Sequence, residues 1–205
     1  DTAELAVDHW TRYSEDLELA RTLGVNSVRI SLAWEKIEPS PGVFSTAAIT
    51  HYRAVLQRAR ELGLRPMVAL HHFTHPQWFH DRGGWLSAES PQIFVRYADF
   101  VVSRLGDLCD LWITFNEPMI LVVMGYLKGE IPPRLQGLQP AYEAAYQLAR
   151  AHRLTAAMIH QRQGLSPGAR GRGGVLRGVG LVNSFQVYDP ANPADPRDRE
   201  AARVV

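Results

Sequence analysis

Apolar residues recur along this chain in two alternating rhythms, one helical and one of short continuous runs. Tyr13, Leu17, Ala20 and Leu23 are spaced three or four apart and predict a helix over 10–23 that stops at Gly24. Residues 25–32, Val-Asn-Ser-Val-Arg-Ile-Ser-Leu, are rich in β-formers and predict a strand. Pro39-Ser40-Pro41-Gly42 is a turn, and Ser45 is placed to cap a second helix. That helix gathers Ile49, Tyr52, Val55, Leu56, Ala59 and Leu62 on one face and ends at Gly63. A second strand is expected over 66–71. Ser90-Pro91 reads as a cap followed by proline at the first helical position, with Phe94, Tyr97, Ala98, Val101 and Leu105 facing inward and Gly106 as the stop. A third strand follows at 111–115. A long helix is expected over 140–162, with Tyr142, Ala145, Leu148, Ala149, Ala156 and Ile159 inward. Residues 164–178 are rich in Gly and Arg and read as an exposed loop, and the last strand is expected at 179–185.

Strands separated by helices imply parallel pairing, because parallel neighbours need a crossover. A doubly wound sheet and a barrel both satisfy this pattern. The residues just after the strands favour the barrel. Trp34 follows the first, His71-His72-Phe73 the second, and Asn116-Glu117-Pro118 the third. Barrel enzymes draw their sites from the C-terminal ends of several strands. No Gly-rich phosphate loop follows any strand, which weakens a nucleotide-binding reading. The expected fold class is α/β, a TIM (β/α)8 barrel present in part, with residues 1–205 as one partial catalytic domain. Such an open sheet exposes strand edges at 25–32 and 179–185, an aggregation hazard.

Composition narrows the partners. The formal net charge of +1 provides no global field for nucleic acid or an anionic membrane. No apolar run approaches the ~20 residues that cross a bilayer. The single cysteine, Cys109, excludes an internal disulfide framework and fits a reducing compartment, so a cytoplasmic location is expected. No signal peptide is visible, although the chain begins at Asp1 without an initiator Met. The sequence carries no indication of oligomeric state. His71, His72 and His75 invite a zinc site, but neighbours on a strand point to opposite faces and do not easily share one ion, so no metal is expected. Arg170, Arg172 and Arg177 lack interleaved aromatics and read as a solvated loop. Among the five tryptophans, Trp34 is the first candidate for stacking on a sugar ring, and packing is the default for the others. His152 reads as a hydrogen-bonded core residue. Asp107 and Asp110 read as structural groups at the opposite end of the barrel, and Cys109 as an inert buried thiol.

The sharpest chemistry lies in Trp112-Ile113-Thr114-Phe115-Asn116-Glu117-Pro118. A carboxyl shielded at the mouth of a parallel barrel holds its proton near neutral pH and can give it to a leaving oxygen. Taken alone, Asn-Glu-Pro is a short string better explained as the start of a helix. Its surroundings reverse that. Asp8-His9-Trp10-x-x-Tyr13-x-x-Asp16, Arg29-Ile30-Ser31-x-x-Trp34-x-x-Ile37-x-Pro39 and Leu70-His71-His72-Phe73-x-x-Pro76 run in order. Gly83-Gly84-Trp85, Thr114-Phe115-Asn116-Glu117-Pro118, Gly125-Tyr126-x-x-Gly129-x-x-Pro132-Pro133 and Ala151-His152 continue the series. Together they make residues 5–190 resemble glycoside hydrolase family 1, the β-glucosidase, β-galactosidase and β-mannosidase family.

The resemblance implies that Glu117 is the general acid/base and that Asn116 binds the sugar 2-hydroxyl. It implies a sugar-binding His72, with Phe73 in place of a frequent Trp. Arg29 aligns with the arginine that keeps the nucleophilic carboxylate ionised and oriented, as a neighbouring positive charge does. No cofactor or metal is implied, and the partner is a small-molecule β-glycoside. The sequence departs from the family pattern at Glu35-Lys36, where Ser-Arg is usual, and at Arg134, where Gly is usual. The register at Asn183-Ser184 is uncertain by one residue, and Asn183 receives no role. The four strands correspond to about strands 2 to 5. The family's first strand is expected before residue 1. The nucleophile, a Glu in a Thr-Glu-Asn-Gly motif, is expected after residue 205, and that motif is absent from these 205 residues. A barrel of this kind needs about 250 residues or more.

The reading is a retaining β-glycosidase in which this chain contributes the acid/base and is inactive alone. Two alternatives stand beside it: another barrel glycosidase family such as an endoglucanase-like enzyme, and a non-catalytic sugar-binding remnant. Retention of Arg29, His72, Asn116 and Glu117 weighs against the second.

Overall fold

The computed structural model describes residues 6–164, 177–184 and 189–204. Helix α1 (His9–Thr22) leads to strand β1 (Ser27–Ser31), the one-turn helix α2 (Trp34–Ile37) and helix α3 (Thr46–Glu61). Strand β2 (Arg65–His71) is followed by α4 (Gln77–Asp81), a 3-10 turn at Gly84–Leu86 and α5 (Ser90–Leu105). Strand β3 (Leu111–Asn116) runs into α6 (Pro118–Leu121) and a π-helical segment, Val122–Leu127. The long α7 (Leu138–Gln163), β4 (Gly178–Val182) and α8 (Pro196–Val204) complete the order.

The strands form one parallel sheet in the order β1-β2-β3-β4. Each strand lies beside the next in sequence, with no reversal of winding. A doubly wound sheet reverses at a switch point, so this order is that of a barrel segment. Among the described residues β1 and β4 each pair on one side only. The large apolar residues left exposed include Trp10 and Leu19 on α1, Leu138, Tyr142 and Tyr146 on α7, and Leu181 on β4. They lie on the elements at the two ends of the sheet.

Each expected strand forms, with different ends. The first is shorter than 25–32. The last stops at Val182, and Phe185 lies outside the described residues. Most of the expected loop at 164–178, with Arg170 and Arg172, also lies outside them. Ser45 caps α3 as expected, accepting the Ala48 N–H at 3.2 Å. Ser90 does not cap α5. The helix begins at Ser90 itself with Glu89 before it, and the Ser90 hydroxyl is buried without a partner. The inward face of α7 is also rotated from expectation. Ala141, Ala144, Leu148, Ala151, Thr155 and Ile159 are buried, whereas Tyr142 is 70% exposed. Small residues form this stripe because α7 packs closely on α5.

The layer between sheet and helices is aromatic. Trp34 stacks on Tyr97 at 4.7 Å between centroids, and Phe94 on Phe115 at 4.6 Å. Phe79 and Trp85 meet at 5.0 Å, and both are buried. Burying one such side chain stabilises by about 1.5–3 kcal/mol, against about 0–1 kcal/mol for an exposed ion pair. This layer therefore outweighs exposed pairs such as Arg12–Glu15. One carboxylate lies inside it. Glu38 is fully buried and accepts from Trp34 Nε1 at 2.9 Å, from the Gly42 N–H at 2.7 Å and from Arg96. At the other end of the sheet, Asp107 forms a two-pronged pair with Arg53, which lowers the carboxyl's pKa. Cys109 is buried, and burial pushes its thiol up to about 12.

His71 and His75 stack at 5.9 Å on the edge of the aromatic layer. Desolvation lowers His71 well below the ordinary imidazole value, and His75 and His72 add to it. Desolvation, then His80, lowers His75 to about 4. Both rings are neutral in the folded chain at neutral pH and take up protons on unfolding below about pH 6.5. Their contribution to stability is complete above about pH 6.5 and is lost as pH falls toward 4. Thermal melts should therefore show Tm falling across that window. His75→Leu should flatten part of the slope, and a Tm indifferent to pH between 6.5 and 4 would contradict the assignment.

Candidate active site

The site is assembled at the C-terminal ends of β1, β2 and β3. Arg29 and Ser31 are two residues apart on β1 and share its face. His72 comes directly after β2, Asn116 ends β3, and Glu117 follows. Arg29 reaches across β2 to β3, and its Nη1 donates to Asn116 Oδ1 at 2.5 Å. Asn116 Nδ2 lies 3.5 Å from Glu117 Oε2. Ser31 Oγ and His72 Nδ1 are 2.8 Å apart. Arg29 and Ser31 are exposed, His72 and Glu117 are half-buried, and Asn116 is buried. The structure thus brings all four expected residues, Arg29, His72, Asn116 and Glu117, together at the C-terminal ends of the strands. The Arg29 guanidinium stands exposed, with the Asn116 amide as its partner.

Glu117 has a left-handed backbone, φ 48° and ψ 55°. For a residue with a Cβ this costs about 1–2 kcal/mol. Three local features hold it there. Its N–H donates to Val182 O on β4 at 2.7 Å. Pro118 starts α6 at the position where a missing N–H costs nothing, and Glu117 O accepts the Ile120 N–H at 3.0 Å. The β3–β4 register also shifts between Ile113 and Asn116. A shift of this kind re-aims the side chains after it. At the shift, Thr114 Oγ1 donates to Gly180 O at 3.2 Å and lies 2.7 Å from His152 Nδ1 on α7. The hydroxyl has one proton, so with Gly180 accepting it, His152 Nδ1–H is the donor to Thr114. His152 is the hydrogen-bonded residue expected, half-buried rather than in the core.

Phe73 repeats the left-handed conformation after β2, with φ 68°. Strained positions of this kind gather at functional sites. Arg134 also has a positive φ, 61°, at the position where the family pattern has Gly. Gly125 has a different requirement, because a Cβ there would meet Pro132 O at 3.0 Å.

Partial burial lowers the His72 pKa. The Arg29 cation lowers it further, and Glu117 opposes the shift. His72 is therefore a neutral hydrogen-bonding ring at neutral pH. His71 points the other way, into the aromatic layer beside Trp85 and Phe115. Among the described residues no group of three or more His, Cys, Asp or Glu side chains could hold a metal ion. Trp34 does not reach the site. It is 0% exposed, because α2 begins at this residue and turns the indole back against Tyr97 and Glu38. Two contributions went unread in the sequence: Ser31 beside His72, and the Thr114–His152 contact under Glu117. The i, i+2 spacing of Arg29 and Ser31 is the signal that pointed to Ser31.

The family model for glycosyl hydrolase family 1 matches residues 1–204. The chain belongs to this family. Family 1 relatives include the human cytosolic beta-glucosidase, 33% identical over 98% of this chain and 42% of its own length. A beta-galactosidase of Pyrococcus woesei is 28% identical over 98% of this chain and 48% of its own. Among solved structures, a psychrophilic beta-glucosidase from Micrococcus antarcticus superposes with a TM-score of 0.85 at 34% identity. It is covered over 41% of its length by 99% of this chain. A Thermotoga maritima beta-glucosidase in complex with deoxynojirimycin gives 0.86 at 28% identity, with 100% and 44% covered. The chain spans under half the length of these relatives, and its sheet is part of a TIM barrel. The family match extends past the quoted motifs to include α8.

Replacing Thr114 by Val keeps the shape and deletes the hydroxyl. It removes the partner of His152 Nδ1 and one donor to Gly180 O and should destabilise the chain by about 1–3 kcal/mol, read by urea unfolding. An unchanged midpoint would show that this contact does not hold β3 against β4.

Proposed function

We propose that this chain forms part of a retaining β-glycosidase in which Glu117 is the general acid/base. The observation that carries the reading is the linked set Arg29–Asn116–Glu117, with His72 beside it, at the strand ends of a family 1 barrel segment. In the first step Glu117 gives its proton to the glycosidic oxygen while a second carboxylate attacks the anomeric carbon. The bond to the leaving alcohol breaks as the bond to the enzyme forms. In the second step Glu117 takes a proton from water, whose oxygen displaces the carboxylate and frees the sugar. Asn116 and His72 hold sugar hydroxyls, and Arg29 orients Asn116 and supplies positive charge for the nucleophile. The second carboxylate comes from a segment outside these 205 residues.

β-Linked glucosides and galactosides are the proposed substrate class, in keeping with the beta-glucosidase and beta-galactosidase among the relatives. A cytoplasmic location belongs to the same reading. It draws on the single cysteine and on the name of the human relative. No described helix is long and apolar enough to cross a membrane. Membership of family 1 sets aside the endoglucanase-like alternative.

Release of nitrophenol from an aryl β-glucoside tests the proposal. The isolated chain should show no turnover, and the longer protein that contains it should be active. Glu117→Gln in the longer protein should cost about 10²–10⁴-fold. Full activity of Glu117→Gln would overturn the acid/base role. Sugar binding without any turnover by the longer protein would identify a non-catalytic member.

A further inference from the structure

Ser31 has no assigned part in the chemistry, yet it makes the one hydrogen bond of the His72 ring among the described residues. It closes β1, next but one to Arg29, and its hydroxyl stands on the same exposed face. Its Oγ lies 2.8 Å from Nδ1, so Nε2 is the ring nitrogen left for a ligand. A neutral imidazole exists as two tautomers, in which Nε2 is either a donor or an acceptor, and the bond at the other nitrogen decides which. The Ser31 hydroxyl has a single proton and no other acceptor among the described residues. Giving that proton to Nδ1 satisfies both groups and leaves the ring proton on Nε2.

We infer that Ser31 is a positioning residue: its hydroxyl donates to His72 Nδ1 and fixes His72 as an Nε2–H donor toward the candidate site. The ligand it faces, on the glycosidase reading above, is a sugar hydroxyl oxygen. The ring is held between β1 and the end of β2, so its direction is set by two neighbouring strands that pair Ser31 with Ala69. A site with a fixed donor prefers a ligand oxygen with a free lone pair there and rejects an analogue that lacks the oxygen. Without Ser31, Nδ1 turns to water, both tautomers populate, and the ring loses its anchor.

Long-range proton–nitrogen NMR spectra of the imidazoles in the 205-residue chain test this directly, with His72 assigned by His72→Gln. The wild-type ring should appear as a single Nε2–H tautomer. Ser31→Ala should shift both ring nitrogens toward the average of the two forms, and Ser31→Thr, which keeps the hydroxyl, should restore the wild-type pattern. A wild-type Nδ1–H tautomer overturns the inference, and this reading needs no variant to fold. A Ser31→Ala spectrum identical to wild type overturns it as well. Addition of methyl β-D-glucoside separates the two levels of the argument. Movement of the Nε2–H signal supports both. An unmoved signal in the longer protein that contains this chain, with the tautomer pattern intact, counts against the sugar reading and leaves the Ser31–His72 coupling standing.

Discussion

The whole site depends on one backbone constraint, the left-handed turn at Glu117. A strand that continued in extended form past Asn116 would send the next side chain to the opposite face. The positive φ at Glu117 breaks that alternation, which lets Asn116 and Glu117 serve the same side of the sheet. The conformation is unfavourable for a glutamate and persists because β4 takes its N–H and α6 starts immediately after it. Beneath it, Thr114 and His152 tie the irregular part of β3 to β4 and α7. The position of the acid is therefore a property of two strands and two helices together.

The aromatic layer supplies the rigidity behind this. Trp34, Tyr97, Phe94, Phe115 and Trp85 fill the space between the sheet and α5, so Phe115 anchors β3 one residue before Asn116. His71 belongs to the same layer while His72 turns toward the site, so adjacent histidines do different work. Glu38 gives the layer a polar centre. Its carboxylate gathers donors from α2, the following turn and α5. Taking a carboxylate out of water is costly, and it is tolerated here because all three donors converge on it.

Much of this was legible in the sequence because parallel strands in a barrel are short apolar runs with chemistry placed at their ends. The runs ending at His71 and Asn116 led straight to candidate site residues, His72 and Glu117, and the four-strand order followed from the helices between the strands. The errors have specific physical causes. Trp34 looked like a ligand platform because it follows a strand, but the chain turns into a helix at that residue. Glu38, four residues on, then meets the indole N–H. Tyr142 looked inward because it is large and aromatic, whereas close packing of α7 on α5 selects alanines for the contact. Ser90 looked like a cap, but the helix starts one residue earlier than a cap at that position allows. The Thr114–His152 contact joins residues 38 apart, which no local pattern reveals.

The decisive experiment is a crystal structure of the longer protein with deoxynojirimycin bound. The Glu117 carboxyl should lie on one side of the ring with a second carboxylate about 5–5.5 Å from it, and Asn116 should be hydrogen-bonded to the sugar. A Glu117 side chain turned away from the ring, or a second carboxylate more than about 6.5 Å away, would contradict it.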